Sequence, residues 1–337
     1  MTDTHLLTVE GLKKHFPVHS GLLNRVSAHV KAVDGVSFHV ARGEIFCVVG
    51  ESGCGKSTVG RLVTRLLAPT AGTIHLGGED VTDLGPEQVR RFRREIQIVF
   101  QDPYASLNPR LKVREIVAEP LENFGLASGA EKRRRVGDLL ERVGLRAEVM
   151  DRYPHEFSGG QRQRLGIARA LALNPSLIVA DEPVSALDVS VQAQVLNLLM
   201  DLQAEFGLSY LFISHDLGVV EHIGHRIAVM YLGRIVELAP KRALFDAPLH
   251  PYTRALLAAA PVPDPRAKRE KLVIEGDVPS PMAPPPGCHF HTRCPFAVER
   301  CRRDDPALRR IADGRLVACH LVRDDGTFEG DPRPPEG

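Results

Sequence analysis

A glycine-rich segment near residue 50 has the residue types and spacing of a loop that binds phosphate groups. Gly50 is followed, after four residues, by Gly55, Lys56 and Ser57. Backbone N–H groups of such a loop close around phosphates, the lysine neutralises their charge, and the serine hydroxyl binds Mg²⁺. The predicted ligands of the nucleotide are Gly50, Glu51, Ser52, Gly53, Cys54, Gly55, Lys56, Ser57 and Thr58. The sequence therefore predicts a protein that binds ATP with Mg²⁺.

The segments on either side of this loop support the prediction. Residues 44–49 form a short apolar run that predicts a strand ending at the loop. Residues 57–67 have the apolar spacing of a helix that ends before Pro69. The bound phosphates would therefore lie at the N-terminus of a helix, where the helix dipole and free N–H groups favour anions.

Two adjacent acids follow a second buried strand. The apolar residues 176–180 lead directly into Asp181 and Glu182. Parallel sheets bind ligands at the carboxyl ends of their strands, so the two carboxylates are placed for chemistry. We expect Asp181 to hold Mg²⁺ through water and Glu182 to polarise the water that attacks the γ-phosphate. The alternative is that the acids only begin a helix, and the phosphate-binding loop disfavours it.

Further polar motifs follow in a recognisable order. Gln101 follows a strand-like run at 96–100, and His215 follows another at 211–214. Between them lie a second glycine-rich segment and Asp188. In this order the chain resembles the ABC ATPases, with their Walker A, Q-loop, signature, Walker B, D-loop and H-loop motifs, over about residues 6–240. The resemblance implies that Gln101 contacts Mg²⁺ and the attacking water, and that His215 contacts the γ-phosphate.

The resemblance also implies that the chain works with a second ABC ATPase subunit. The second glycine-rich segment precedes the helical stretch 163–171, so its N–H groups can meet an anion. In the family this signature segment binds the γ-phosphate held by the Walker A loop of the other subunit. The segment comprises Ser158, Gly159, Gly160 and Gln161. Whether the partner is the same chain or a different one stays open.

Two strings resemble the dipeptide and oligopeptide importer branch of this family. They are residues 102–110, and the sequence His250, Pro251, Tyr252, Thr253. The resemblance implies peptide import powered by ATP hydrolysis at the cytoplasmic face of the cell membrane, with two transmembrane permease subunits and, indirectly, an extracytoplasmic substrate-binding protein. The alternatives are another cargo, such as nickel or a glycopeptide, or an ABC ATPase that acts on DNA or ribosomes.

Composition and chain organisation agree with a peripheral subunit. The 337 residues carry a net charge of +1, which does not mark a nucleic-acid binder, and contain no apolar run long enough to cross a bilayer. The start of the chain lacks the pattern of a secretory signal. We predict an α/β fold: a P-loop ABC ATPase core with a β-rich subdomain and a helical insertion at about 102–170, together spanning 1–245. Residues 246–337 would form a small cysteine-containing extension with prolines, including those at 261–265, and a mobile tail.

Four of the six cysteines lie in that extension and suggest a metal centre. They are Cys288, Cys294, Cys301 and Cys319. Their gaps exceed those within zinc ligand pairs, and a [4Fe–4S] cluster suits wide spacing better. The importer resemblance also favours the cluster, since some members of that branch carry one. Zinc and four reduced thiols are the alternatives, and His289, His291 and His320 could substitute as ligands.

Phe16 is the candidate for stacking on the adenine. The family places an aromatic residue in the segment before the first core strand, and Phe16 lies nearest to that position. Residues 17–30 form an insertion that blurs the register. Phe16 could equally belong to the core.

Overall fold

Two β-sheets carry the strands of the computed structural model, which describes residues 5–20, 25–259, 274 and 276–330. One sheet has four strands and the other has eight. The strands are β1 (His5–Ser20), β2 (Arg25–Ala41), β3 (Ile45–Val49), β4 (Ala71–Leu76), β5 (Glu79–Asp80), β6 (Ile96–Val99), β7 (Leu177–Asp181), β8 (Ser209–Ser214), β9 (Arg226–Tyr231), β10 (Arg234–Pro240), β11 (Arg309–Arg310) and β12 (Leu316–Val317).

The larger sheet has the order β11-β12-β10-β9-β3-β8-β7-β6. From β9 to β6 all neighbouring strands are parallel, whereas β10, β11 and β12 pair antiparallel. Every residue of β3, β7 and β8 is buried. Strands of a parallel sheet that helices cover on both faces are expected to be mainly apolar, and the polar residues of these strands lie at their ends. The expected strands that end near residues 49, 180 and 214 are therefore present.

The smaller sheet is antiparallel and has the order β2-β1-β4-β5. Strands β1 and β2 pair antiparallel as one long hairpin. Residues 17–20 and 25–30 of the segment predicted as an insertion belong to these strands, and Phe16 pairs with Val30. Residues 21–24 lie outside the described part of the chain. Apolar side chains of this sheet pack with those of β3 and of the helix after it into one of the hydrophobic clusters. The described residues up to 95 are thus rich in strands, which agrees with the predicted β-rich subdomain.

Helices connect the strands and cover the larger sheet. They are α1 (Lys56–Val63), α2 (Pro86–Glu95), α3 (Pro103–Ser106), α4 (Val113–Asn123), α5 (Gly129–Arg142), α6 (Gly159–Leu171), α7 (Val189–Phe206), α8 (Leu217–Ile223), α9 (Lys241–Asp246), α10 (Pro251–Ala259) and α11 (Glu299–Arg303). Short 3₁₀ helices span Ala147–Asp151 and Pro154–Glu156. Residues 102–170 contain helices and turns and no strand. This agrees with the predicted helical insertion.

The C-terminal region joins the core by strand pairing and by apolar packing. Strand β12 pairs with β10, so it extends the larger sheet. Phe290 is buried in the main hydrophobic cluster, and Cys288 and Cys294 pack against that cluster. A smaller cluster gathers Leu249 with residues that follow β11. The prolines predicted as a connector at 261–265, and the end of the tail at 331–337, lie outside the described residues.

None of the helices in the described part of the chain is both long and apolar enough to cross a membrane. The longest, α7, spans 18 residues, but its buried positions Val195, Leu196, Leu199 and Leu202 form one stripe. A stripe of this spacing is the pattern of a helix that packs one face on a core.

Candidate active site

Strand order brings the predicted catalytic segments to one edge of the larger sheet. In the order β3, β8, β7, β6, the strands are followed by the phosphate-binding loop, by His215, by Glu182 and by Gln101. The register aligns the strand ends, because Val49 pairs with Ser214. Four segments distant in sequence therefore meet at the carboxyl edge of the sheet, where parallel sheets place ligands.

The phosphate-binding loop is held tightly against the surrounding backbone. Gly50 has φ 152°, and a Cβ at this position would lie 2.2 Å from the carbonyl oxygen of Met230. Gly55 has φ 108°, and a Cβ there would lie 2.1 Å from the carbonyl oxygen of Ala32. Any other residue at either position would clash with backbone, so both glycines are required by geometry. The backbone of Ala32 thus forms one wall of the loop, which the sequence motifs did not indicate.

The loop lysine points back onto its own loop. Lys56 is buried, and its Nζ donates to the carbonyl oxygens of Gly50 at 2.8 Å and Glu51 at 2.9 Å. Cys54 Sγ lies 3.9 Å from the same nitrogen. These bonds satisfy two of the three N–H donors of the ammonium group. A phosphate oxygen would be a stronger partner for it, because that bond would join two opposite charges.

Ser57 and Asp181 provide oxygen donors side by side. The Ser57 hydroxyl donates to Asp181 Oδ1 at 2.8 Å. Burial raises the pKa of the Asp181 carboxyl, while the bond from Ser57 and the nearby Arg61 act in the opposite direction. A hydroxyl and a carboxylate are the hard ligands that Mg²⁺ prefers. The donor set of these two residues therefore fits a magnesium ion.

Glu182 lies at the centre of the polar residues at the strand ends. Its Oε2 accepts a hydrogen bond from Gln101 Nε2 at 3.0 Å and lies 3.0 Å from His215 Nδ1. The φ of Glu182 is 47°, a left-handed conformation that costs free energy in a residue with a Cβ. Strain of this kind at a carboxylate beside a phosphate-binding loop is typical of functional sites.

A cavity of about 460 Å³ joins these groups. Its lining residues are Ala32, Ser52, Gly53, Gly55, Lys56, Ser57, Thr58, Gln101, Glu182 and His215. It thus brings together the phosphate-binding loop and all three side chains that we predicted to be catalytic. The predicted ligands Gly50, Glu51, Cys54, Asp181 and Phe16 are not among the residues that line it. Lys14 Nζ lies 5.2 Å from the Phe16 ring centroid.

The signature segment begins helix α6 in a capping box. Gln161 N–H donates to Ser158 Oγ at 3.3 Å, and Ser158 N–H donates to Gln161 Oε1 at 3.0 Å. Both side chains are exposed, whereas Gly160 is buried and a Cβ there would lie 2.3 Å from Val191 Cγ1. The segment does not line the cavity at the phosphate-binding loop. Asp188 is also exposed and precedes α7.

The four C-terminal cysteines share one neighbourhood, but their arrangement does not support the predicted metal centre. Burial raises the pKa of Cys288 to about 12 and the pKa values of Cys294 and Cys319 to about 11, and the other cysteines add to each rise. No group of three or more His, Cys, Asp or Glu side chains that could hold a metal ion is found within residues 5–20, 25–259, 274 and 276–330. Neither the [4Fe–4S] cluster nor zinc is therefore supported at Cys288, Cys294, Cys301 and Cys319.

The candidate histidine ligands have other partners nearby. His291 Nδ1 lies 2.9 Å from the carbonyl oxygen of Cys288, and His320 Nε2 lies 2.9 Å from that of Asp304. Burial lowers the pKa of His289. The first two rings thus contact backbone oxygens and not a shared centre.

Comparison with known families gives two adjoining matches. The family described as ABC transporter matches residues 33–185, and the one described as oligopeptide/dipeptide transporter, C-terminal region, matches residues 236–301. The first match contains the phosphate-binding loop, the signature segment and Glu182. The second contains the string that begins at His250 and three of the four C-terminal cysteines.

Curated relatives match almost the whole chain. A probable peptide ABC transporter ATP-binding protein of Sinorhizobium fredii is 60% identical over 95% of this chain and 91% of its own length. An oligopeptide transport ATP-binding protein of Bacillus subtilis is 56% identical over 94% of this chain and 97% of its own length. A dipeptide transport ATP-binding protein of Haemophilus influenzae is 55% identical over 95% of this chain and 98% of its own length.

Solved structures of ATP-binding cassettes share the fold. The dimeric post-hydrolysis state of the cassette MJ0796, bound to ADP and Pi, has a TM-score of 0.62 and 31% identity, and it covers 70% of this chain and 99% of that one. A cassette of Clostridium perfringens, part of an ABC transporter complex, has a TM-score of 0.63 and 27% identity. It covers 72% of this chain and 92% of that one. The chain is an ABC-type ATPase: it belongs to the family of ABC transporter ATP-binding proteins, in the branch that carries the oligopeptide/dipeptide transporter C-terminal region.

Proposed function

We propose that this chain is the subunit that binds and hydrolyses ATP to power import of dipeptides or oligopeptides through a membrane ABC transporter. The observation that carries the proposal is the near full-length similarity to relatives named for peptide transport. The convergence of Gln101, Glu182 and His215 on one cavity beside the phosphate-binding loop supports the hydrolytic role. We propose no nucleic-acid partner for this chain.

Glu182 acts as the base in the proposed reaction. Its Oε2 would accept a proton from the water that attacks the γ-phosphate. Gln101 and His215 already contact that oxygen, so they hold the carboxylate in place and can exchange this contact for water and phosphate oxygens. Lys56 would leave the carbonyl oxygens of its own loop and neutralise the phosphates.

Mg²⁺ would be held by Ser57, Asp181 and Gln101. The metal supplies neutralisation of the charge that develops on the transferred phosphoryl group. The Ser57 hydroxyl and Asp181 carboxylate lie within one hydrogen bond of each other, so they can serve one ion from adjacent positions. Gln101, which lines the same cavity, would contribute its amide oxygen.

Two ATPase subunits would close around the nucleotide. Ser158 and Gln161 are exposed at the N-terminus of α6 and do not line this chain's own phosphate cavity, so they are available to a second subunit. A 13-residue helix begins there, and its N-terminal dipole favours a phosphate. Asp188 is exposed next to the same face. The second subunit is either another copy of this chain or a related one.

The importer-like string at 102–110 is the proposed contact with two transmembrane permease subunits. Tyr104 is 65% exposed, although its ring lies only 3.8 Å from the guanidinium carbon of Arg162. Arg162 belongs to α6, which starts with the signature segment. A force on Tyr104 would therefore reach the ATP-binding interface through one helix. In this proposal the chain lies at the cytoplasmic face of the membrane, and an extracytoplasmic substrate-binding protein is an indirect partner.

Purification of solubilised membranes through a tag on this chain tests the proposal against its alternatives. Two multi-spanning proteins and a second ATPase subunit are expected to copurify. Recovery of ribosomes or DNA in place of membrane proteins would contradict the importer role. The cargo is then assigned by finding which candidate stimulates ATP hydrolysis. Nickel or a glycopeptide is the alternative to peptides as cargo of the same transporter.

A metal centre at the four cysteines is a separate proposal. What supports it is the chemistry of the donors: four thiols lie in one neighbourhood, where the backbone groups of Phe290, Phe296 and Leu321 oppose the burial that raises the pKa values of Cys288, Cys294 and Cys319. Elemental analysis of anaerobically purified protein tests it. About four iron and four sulfide per chain would establish the cluster, zinc alone would establish the alternative, and no metal would leave four thiols.

The proposal also includes a domain boundary near residue 245. It further includes contact of Phe16 with the adenine of ATP. Phe16 is half-buried in β1 and lies on the long hairpin whose other strand contains Ala32. Replacement of Phe16 by alanine is expected to weaken ATP binding without altering binding of inorganic triphosphate. An equal loss for both ligands would assign Phe16 to the core.

A further inference from the structure

An ion pair joins the cysteine-containing C-terminal region to the phosphate-binding loop. Arg293 Nη1 donates to Glu51 Oε2 at 2.8 Å, and Arg293 Nη2 donates to Glu51 Oε1 at 3.1 Å. The two residues are 242 positions apart. Only 9% of the Arg293 side chain and 28% of the Glu51 side chain are exposed. A bidentate pair with this little solvent is a strong and directional contact.

Tyr252 makes a second contact with the same loop residue. Its hydroxyl accepts the N–H of Glu51 at 2.9 Å. Tyr252 is fully buried, and its ring packs against Tyr231 and Phe290, with centroid separations of 4.8 and 5.4 Å. Tyr252 belongs to the importer-like string that begins at His250. That string therefore places a fixed hydrogen-bond acceptor on the backbone of the phosphate-binding loop.

Glu51 also contacts the residue that must bind the phosphates. Its carbonyl oxygen accepts a hydrogen bond from Lys56 Nζ at 2.9 Å. One residue of the loop thus has its side chain held by Arg293, its N–H by Tyr252 and its carbonyl oxygen by Lys56. An unpaired carboxylate in this loop would repel the phosphates of ATP, and an unanchored peptide group would let the loop change shape.

We propose that Arg293 and Tyr252 are positioning residues for nucleotide binding: the C-terminal region fixes the phosphate-binding loop and neutralises its one acid, Glu51. The inference rests on the proposed function, since it concerns how this chain accepts ATP. It gives the C-terminal region a role at the ATP site whether or not its cysteines hold a metal. The competing explanation is that the ion pair only fastens the C-terminal region to the core.

The two explanations differ in what Arg293→Ala does to nucleotide affinity. If Arg293 neutralises Glu51, the dissociation constant for a fluorescent ATP analogue with Mg²⁺ should rise about tenfold, the factor expected for loss of one charge-assisted contact. The kcat of hydrolysis at saturating ATP should change much less, because neither residue touches Glu182. If the ion pair only holds the C-terminal region on the core, Arg293→Ala should lower the melting temperature and leave the dissociation constant unchanged. That result would overturn the inference.

Removal of the acid provides the decisive control. In the double variant Arg293→Ala, Glu51→Gln no uncompensated carboxylate remains in the loop, so affinity should recover toward the wild-type value. Affinity as weak as that of Arg293→Ala alone would show that Arg293 does not act through Glu51. Arg303→Ala is the matched control, because Arg303 is an exposed arginine of the same region that pairs with the exposed Glu299. It should bind the analogue as the wild type does.

Two further variants keep the test decisive. Arg293→Lys retains the charge but not the bidentate geometry, so its dissociation constant should lie between those of the wild type and Arg293→Ala; it replaces the alanine variant if that protein does not fold. Lys56→Ala reports on the proposed function itself. Wild-type affinity in Lys56→Ala would contradict nucleotide binding at this loop, whereas loss in Lys56→Ala with no change in Arg293→Ala or Arg293→Lys would reject only the present inference.

Coupling of two sites is reciprocal, so nucleotide should also act on the C-terminal region. In hydrogen–deuterium exchange, addition of ADP and Mg²⁺ should slow exchange of peptides that contain residues 288–297 in the wild type. The same peptides should lose most of this protection in Arg293→Ala, at nucleotide concentrations that saturate both proteins. Equal protection in both proteins would contradict transmission through Arg293.

Discussion

His215 Nδ1 lies 3.0 Å from Glu182 Oε2, across 33 residues of sequence, and the two side chains face the same cavity as the phosphate-binding loop. Only 12% of the Glu182 side chain is exposed, whereas 53% of His215 is. The acid is therefore held inside the cavity by a residue at its rim. Such an arrangement can keep a base in place before the nucleotide arrives and let the histidine move toward phosphate afterwards.

Glu182→Gln should bind ATP normally and hydrolyse it at least about a hundredfold more slowly, because the amide cannot take the proton of the attacking water. ATP bound without turnover should hold two subunits together, so an ATP-dependent dimer should be seen by size-exclusion chromatography, with the second ATPase subunit present if it is a different chain. Glu205→Gln, at an exposed position of α7, is the control. Turnover at the wild-type rate in Glu182→Gln would remove this residue as the base.

Ser158→Arg should separate ATP binding from subunit closure. A large cation at the start of α6 blocks the surface proposed to meet the other subunit, yet the cavity at the phosphate-binding loop does not include Ser158. The variant should bind ATP with unchanged affinity and lose hydrolysis. Ser128→Arg provides a matched control, since Ser128 is also an exposed N-cap serine, at the start of α5. Wild-type hydrolysis in Ser158→Arg would show that the signature segment is not used across subunits.

His250 should make stability depend on pH. Burial lowers its pKa from 6.5 to about 3, and its Nδ1 accepts the Tyr252 N–H at 3.1 Å, so the folded protein holds a neutral ring. Below pH 6.5 the unfolded chain takes up a proton at His250 and the folded chain does not. The contribution of the neutral His250 ring to stability is therefore fully present above pH 6.5 and is lost as pH falls toward 3. The contribution lost between pH 7 and pH 4 is about 3 kcal/mol.

Urea denaturation at both pH values measures this loss. His250→Gln, which keeps an acceptor but cannot titrate, should lose less free energy of unfolding than the wild type between pH 7 and pH 4. His222→Gln, on an exposed part of α8, should retain the wild-type pH dependence. Equal pH dependence in the wild type and His250→Gln would show that His250 is not kept neutral by the fold.

Much of the site could be predicted from the sequence because its signals are local. The apolar run before Gly50 and the run before Asp181 each define a buried strand, and in a parallel sheet the residues that follow such strands lie at one edge. Gln101 and His215 also follow strand-like runs, but their roles were expected from the resemblance to the ABC ATPases. The structure places Gln101 and His215 each within hydrogen-bond distance of Glu182.

The features that the sequence did not predict depend on long-range packing. Arg293 is one of several arginines in a basic stretch, and nothing near it in sequence indicates a partner 242 residues away. The wall formed by the Ala32 carbonyl follows from the course of the long hairpin, not from the alanine side chain. The cysteines are the opposite case: their grouping in sequence predicts a metal-holding arrangement, which the described side chains do not support.

The most direct test of the central claim is peptide uptake by cells whose only copy of this chain carries Glu182→Gln. Uptake of radiolabelled dipeptides and oligopeptides should fall to background, while uptake of a free amino acid is unchanged and the variant is present in the membrane fraction at the wild-type level. Peptide uptake at the wild-type rate would contradict the proposal that ATP hydrolysis by this chain powers peptide import.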